Sequence, residues 1–212
     1  YAALGVVSGN LSQSELAEKY TRKAYELRDK VSERERLYIT AHYYDYVTGQ
    51  IDENIKTYEL WKQTYPRDFL PYANLSTGYS ATAQFEKVIE VSSEALRIDQ
   101  TRVYSFVNLA GGYMALNRFS DAKRVLEQAL AQKLDWVGVY AGLYRLALVQ
   151  GDSAAAQQYA EKLKTYPLEP PFTYFPIMNL ISQGKLHEAR KQIEQAIEAA
   201  RRTQGVGDIT WL

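Results

Sequence analysis

Residues 74 to 96 read NLSTGYSATAQFEKVIEVSSEAL, and residues 108 to 130 read NLAGGYMALNRFSDAKRVLEQAL. Asn74 falls on Asn108, Tyr79 on Tyr113, Phe85 on Phe119 and Ala95 on Ala129, at a constant offset of 34 residues. Self-similarity at a period of about 20 to 50 residues restricts a chain to a stacked array, because one such unit cannot bury its apolar face alone. At this spacing the units begin near Glu35, Phe69, Val103 and Val137, with another near Pro170 at slightly adjusted spacing.

Within each unit a first apolar stripe has helical spacing: Tyr38, Ala41 and Tyr44; Tyr72, Leu75 and Tyr79; Phe106, Leu109 and Tyr113; Tyr140, Leu143 and Ala147. A turn is predicted at Gly49, Ala83, Asn117, Gly151 and Gly184, where glycine or asparagine suits a left-handed helix end. Asp52, Ser120 and Ser153 follow as caps for a second helix. That second helix carries Ala95, Ala122, Ala129, Ala156, Ala189 and Ala196 where two helices must approach closely. Pro66 and Pro167 stand where it should stop. Upstream, SQSELAEKYTRKAYELRDK reads as a second helix opened by a capping box of Ser12 and Glu15, with YAALGVVSGN as its short partner.

This pattern of an aromatic, a leucine with a small neighbour, Tyr, Gly, Ala, an aromatic, Ala and Pro resembles the tetratricopeptide repeat. The resemblance implies an all-α, right-handed superhelical solenoid of antiparallel helix pairs with about five to six repeats. It organises residues 1–212 as a single domain: a partial or divergent first repeat at 1–31, repeats at 35–68, 69–102, 103–136, 137–169 and 170–203, and the start of a truncated further helix at 204–212. The chain departs from the pattern at Asn54 and Trp61, which replace two small residues, and at Pro171 and Pro176, which should shorten or kink a first helix. More narrowly, EKYTRKAYELRDKVSERERLYITAHYYDYVTGQIDENIKTYELWKQTYPRD is similar to the repeat regions downstream of the kinase domain in multidomain bacterial serine/threonine protein kinases. With no glycine-rich phosphate loop, HRD or DFG motif, this chain would be the accessory part. Tyr1 in place of Met, without a signal pattern, likewise marks it as a piece of a longer protein.

Composition narrows the function classes. Lys+Arg and Asp+Glu each total 25, so the formal net charge is zero and the basic footprint of non-specific nucleic-acid binding is missing. With no cysteine, disulfides, zinc thiolates and cysteine nucleophiles are excluded. No apolar run approaches the ~20 residues of a membrane helix, so direct membrane insertion is not expected.

The candidates for chemistry are few. His42, among Tyr38, Tyr43, Tyr44 and Tyr46, reads as a core histidine hydrogen-bonded near a tyrosine; His187 reads as solvent-exposed. Two separated histidines make no metal site, and no cofactor is implied. Gly111 and Gly112 lie inside a helical pattern, where close packing explains them better than a phosphate cradle. The chain therefore reads as non-enzymatic.

In arrays of this family, other positions on each first helix line the concave surface. By resemblance these include Ile39, Tyr43, Tyr46, Ala73, Asn74, Thr77, Tyr104, Asn108, Gly111, Met114, Ala141, Arg145 and Tyr174. Tyr43, Tyr46, Asn74, Thr77, Tyr104, Asn108, Met114, Arg145 and Tyr174 are the expected partner-binding set, with Tyr43, Tyr104 and Arg145 as anchors of the types enriched in interface hot spots. Small central residues leave room for a peptide or partner helix. Members that grip a chaperone's C-terminal carboxylate need basic residues where Ile39, Tyr43, Tyr104 and Asn108 stand, so that ligand is not expected. The expected function is a protein-interaction scaffold in a larger bacterial signalling protein. The alternative is a module that senses a small molecule in an aromatic pocket and controls a tethered effector. An uncapped array end, marked by Trp211 and Leu212, also points to a homodimer through an end face.

Overall fold

The computed structural model describes residues 1–166, 177, 180–181 and 183–203. The chain divides into two compact units, Tyr1–Arg118 and Phe119–Leu212. In the first, α1 (Ala2–Asn10), α2 (Ser14–Glu26), a 3₁₀ turn (Arg28–Lys30), α3 (Glu33–Tyr43), a π-helical turn (Tyr44–Thr48), α4 (Ile51–Thr64), α5 (Phe69–Ala81), α6 (Phe85–Ile98) and α7 (Val103–Ala115) follow in order. Each helix packs on the next, and α5 also meets α7. The second unit contains α8 (Phe119–Ala131), α9 (Val137–Val149), α10 (Ser153–Leu163) and α11 (Leu186–Thr203), with α9 packed on both α8 and α10. The described part of the chain is thus a succession of helix pairs, as the repeat requires.

The turns recur in register. Gly49, Ala83, Asn117, Gly151 and Gly184 all adopt positive φ, from 55 to 73°. The backbone then folds back on the helix it has left: Gln84 N donates to Tyr79 O and Arg118 N to Tyr113 O, both at 2.8 Å. These bonds satisfy carbonyls that the helix end would leave open. Ser12 adopts the same conformation, with φ 56°, so it ends α1 rather than capping α2. The expected box of Ser12 and Glu15 is therefore absent. The capping box lies instead at α3, where Ser32 Oγ accepts from Glu35 N and Glu35 Oε2 accepts from Ser32 N.

The second helices also start earlier than expected. Because α4 opens at Ile51 and α8 at Phe119, Asp52 and Ser120 sit inside the first turn. At α10 the cap is Asp152, which accepts from Ala155 N at 3.0 Å, rather than Ser153. Helix α4 ends at Thr64, ahead of Pro66. Pro167, Pro171, Pro176, Ala196's side chain, Asp208, Trp211 and Leu212 lie outside what the structure describes.

Burial follows the repeat. Ala41, Tyr72, Leu75, Tyr79, Phe106, Leu109, Leu143 and Ala147 of the first stripes are buried, as are Ala95, Ala122, Ala129, Ala156 and Ala189 of the second helices. Between α3 and α4 the core changes character. Trp61 is fully buried, stacks on Tyr58 at 6.0 Å between ring centroids, and donates from Nε1 to Asp68 Oδ2 at 2.9 Å. Asn54, also buried, donates its amide to the Ala41 carbonyl at 2.9 Å. The indole and amide therefore replace two small residues with their polar atoms satisfied.

Candidate functional site

The clearest open face in the first unit is built by α5 and α7, which share a contact and the same repeat register. On α5, Thr77 and Ser80 are exposed and Ala73 and Asn74 half-buried. On α7, Tyr104 is 59% exposed, and Val107, Asn108, Gly111 and Met114 are half-buried. A polar rivet ties the two helices together. Asn108 Nδ2 donates to Ser76 Oγ at 2.6 Å, and the buried Ser76 hydroxyl donates to Ala73 O at 2.7 Å. Asn74, one repeat earlier, turns its amide back onto its own helix, to Leu70 O at 3.0 Å.

The paired glycines of α7 have different roles. A Cβ at Gly112 would meet Ile89 Cγ1 at 3.0 Å, so close packing holds there. A Cβ at Gly111 would meet nothing within 4 Å. Packing therefore does not explain Gly111; it leaves the open face shallow beside Tyr104.

On α3 the corresponding positions are covered. Tyr43 stacks on Tyr25 of α2 with ring centroids 3.8 Å apart, and the Arg28 guanidinium lies over the other partner's ring at 3.9 Å from the Tyr25 centroid. Ile39 is buried, and Tyr46 lies against Gly9 of α1 and the His42 ring. The first hairpin, α1 and α2, thus occupies the region that register assigns to a ligand. Sequence reasoning missed Tyr25, Arg28 and Ser76, because each acts across a helix boundary that a repeat pattern within one helix does not record.

Behind Tyr46 lies an aromatic cluster. His42 is buried between Tyr38, Tyr46 and Tyr58, and its Nδ1–H donates to Tyr38 O at 2.8 Å. Burial pushes the imidazole pKa down, with the Tyr38 carbonyl and Asp45 opposing the shift. Burial also pushes the Asp45 carboxyl up and the Tyr46 phenol up to about 12. His42 is therefore held neutral, without a nucleophile to activate. His187 is exposed on α11. Among the described residues no group of three His, Cys, Asp or Glu could hold a metal ion, and no helix is long and apolar enough to cross a membrane.

In the second unit, Arg145 is exposed on α9, while Ala141 is buried in the core with Tyr144 and Ala147 rather than facing outward. Tyr174 lies outside the described residues. A depression of about 530 Å³ lined by Arg34, Thr64, Tyr65, Pro66, Arg67 and Asp68 opens at the α4–α5 turn, away from these positions. Its cationic wall is already engaged: the Arg34 guanidinium donates to Asp68 at 2.5 Å.

No family profile matches the chain. Among solved structures, a tetratricopeptide repeat protein from Parabacteroides merdae superposes with a TM-score of 0.72 at 14% identity, over 93% of this chain and 76% of its own. A thermophilic repeat protein of Thermus thermophilus gives 0.64 at 19% identity, over 92% and 96%. The fold is that of the tetratricopeptide repeat. PilF of Pseudomonas aeruginosa shares it with a TM-score of 0.61 at 17% identity, over 98% of this chain and 91% of that one. At such identities the likeness is one of fold, so the tetratricopeptide-repeat fold supplies the helix pairing and not a ligand.

Proposed function

We propose that this chain is a non-enzymatic protein-interaction scaffold that binds a peptide or a partner helix against the first helices. The observation that carries the reading is the α5–α7 face, where exposed Tyr104 stands beside the small residues Ala73, Thr77 and Gly111. A tyrosine gives a large contact area at low entropic cost, and small neighbours give a partner room to approach. The Asn108–Ser76–Ala73 chain of hydrogen bonds fixes the spacing of the two helices beneath it. Resemblance to the repeat regions of bacterial kinases suggests an accessory region of a larger signalling protein, with the repeats at 35–68, 69–102, 103–136, 137–169 and 170–203 as its modules. A homodimer through an end face belongs to the same reading.

The test is a quantitative pull-down from the source lysate with the wild-type chain and a Tyr104→Ala/Gly111→Arg variant. Gly111 has space for a side chain, so the arginine should block the face without disturbing the core. Loss of a specific protein, with an unchanged melting temperature, supports the reading. Capture of the same proteins in the same amounts by the folded variant removes this face from consideration.

A further inference from the structure

Helix α1 packs small residues inward and large apolar residues outward. Gly5 and Ser8 are buried; a Cβ at Gly5 would strike Thr21 Oγ1 at 2.3 Å, and one at Gly9 the Tyr46 ring at 2.7 Å. Tyr1, Leu4 and Val7 meanwhile are 60%, 50% and 54% exposed. A helix with its size distribution reversed in this way is not using its best apolar surface for its own hairpin.

Register shows what such a surface does elsewhere in the molecule. Aligned on the left-handed residues, Leu4 falls on Leu75, Leu109 and Leu143, which are 0%, 6% and 2% exposed. Tyr1 falls on Tyr72 and Phe106, both buried. On α5, α7 and α9 this face receives the second helix of the preceding pair. A Cβ at Gly78 would meet Ile55 of α4, one at Gly112 would meet Ile89 of α6, and one at Gly142 would meet Leu126 of α8. Helix α1 displays the same kind of docking face with its leucine still open to solvent.

We infer that a second copy of this chain covers it, α1 against α1 about a two-fold axis. An isologous contact sets a surface against its own image, so any charge near the axis meets its like. No acidic or basic residue occurs in α1. The adjoining α2 places exposed Glu15 and Glu18 in its first half and exposed Lys19, Arg22 and Lys23 after them. Antiparallel copies set those acids toward those bases. The face of one short helix is smaller than the ~1,200 Å² that standard interfaces bury, so the dimer is weak and reversible, with a dissociation constant in the micromolar range. None of this depends on the α5–α7 face binding a partner.

Sedimentation velocity of the 212-residue chain from about 1 to about 300 µM tests the assignment over the range such an affinity spans. The expected result is a monomer that passes to a closed dimer, with the dissociation constant raised about tenfold or more by Val7→Glu at unchanged far-UV circular dichroism. Leu4→Ser/Val7→Ser, which adds no charge, serves the same purpose if the charged variant misfolds. A monomer throughout, an open-ended series of larger species, or a dimer insensitive to the folded variants would overturn the proposal.

Discussion

The α3–α4 and α5–α6 pairs solve one packing problem with opposite distributions of volume. In α5–α6 the first helix is bulky, with Tyr72, Leu75 and Tyr79 buried, and the second presents Val88, Ser92 and Ala95. In α3–α4 the first helix presents Ala41, and the second supplies Asn54, Tyr58 and Trp61, all buried. Aligned on Gly49 and Ala83, Ala41 matches Leu75 and Trp61 matches Ala95. The repeat therefore constrains the sum across the interface more tightly than the residue at either position, as expected for interiors packed to crystal-like density.

The comparison breaks most readily at its largest side chain. Trp61→Ala should destabilise the protein by about 3–5 kcal/mol in denaturant unfolding, through cavity formation and an Asp68 carboxylate left without its indole donor. Adding Ala41→Leu to that variant should return part of the loss, and a double-mutant cycle that proves additive would show that the two positions do not share volume. The reciprocal change, Ala95→Leu, overfills α5–α6 and should cost about 1–3 kcal/mol by the same measurement.

Smaller effects sharpen the contrast at the turns. Gly49→Ala forces a β-carbon into φ 65° and should cost about 1 kcal/mol; Ala83→Gly, at φ 55°, should cost nothing or stabilise slightly. Thermal melts of the two variants should move in opposite directions.

The smallest expected effect is a slope. Burial keeps the folded-state pKa of His42 below its unfolded value near 6.5, so below that pH the unfolded chain binds a proton that the folded chain resists. Stability from this group is complete above about pH 6.5 and declines as pH falls toward the depressed folded value. The raised pKa of Asp45 acts in the opposite sense at lower pH. His42→Gln should therefore lose less stability than wild type between pH 7.5 and pH 5.5 in parallel urea titrations.

Much of the fold was legible because periodicity reports which face of a helix is buried. The stripes Tyr72–Leu75–Tyr79 and Phe106–Leu109 and the left-handed residues Gly49, Ala83, Asn117 and Gly151 all follow from it. Caps were less legible, since Ser12 and Asp152 differ only in the backbone conformation the chain takes at each. The candidate site was legible in part. Register placed Tyr104 and Thr77 on an open face, but it gave Tyr43 and Tyr46 the same placement, and these lie under the first hairpin through Tyr25 and Gly9. A repeat pattern identifies equivalent positions; it does not record what a neighbouring element brings against them.

The exchange of volume between α3–α4 and α5–α6 bears on how a periodic chain finds its order. Helices that share a backbone plan and an apolar pattern could dock on the wrong neighbour, displaced by one repeat, during folding. Helix α4 with Trp61 fits beside an alanine and collides with a leucine, whereas α6 with Ala95 leaves a void beside Ala41. Uneven side-chain size thus labels each helix with its address, and an array regular in its backbone folds in only one sequence of partners.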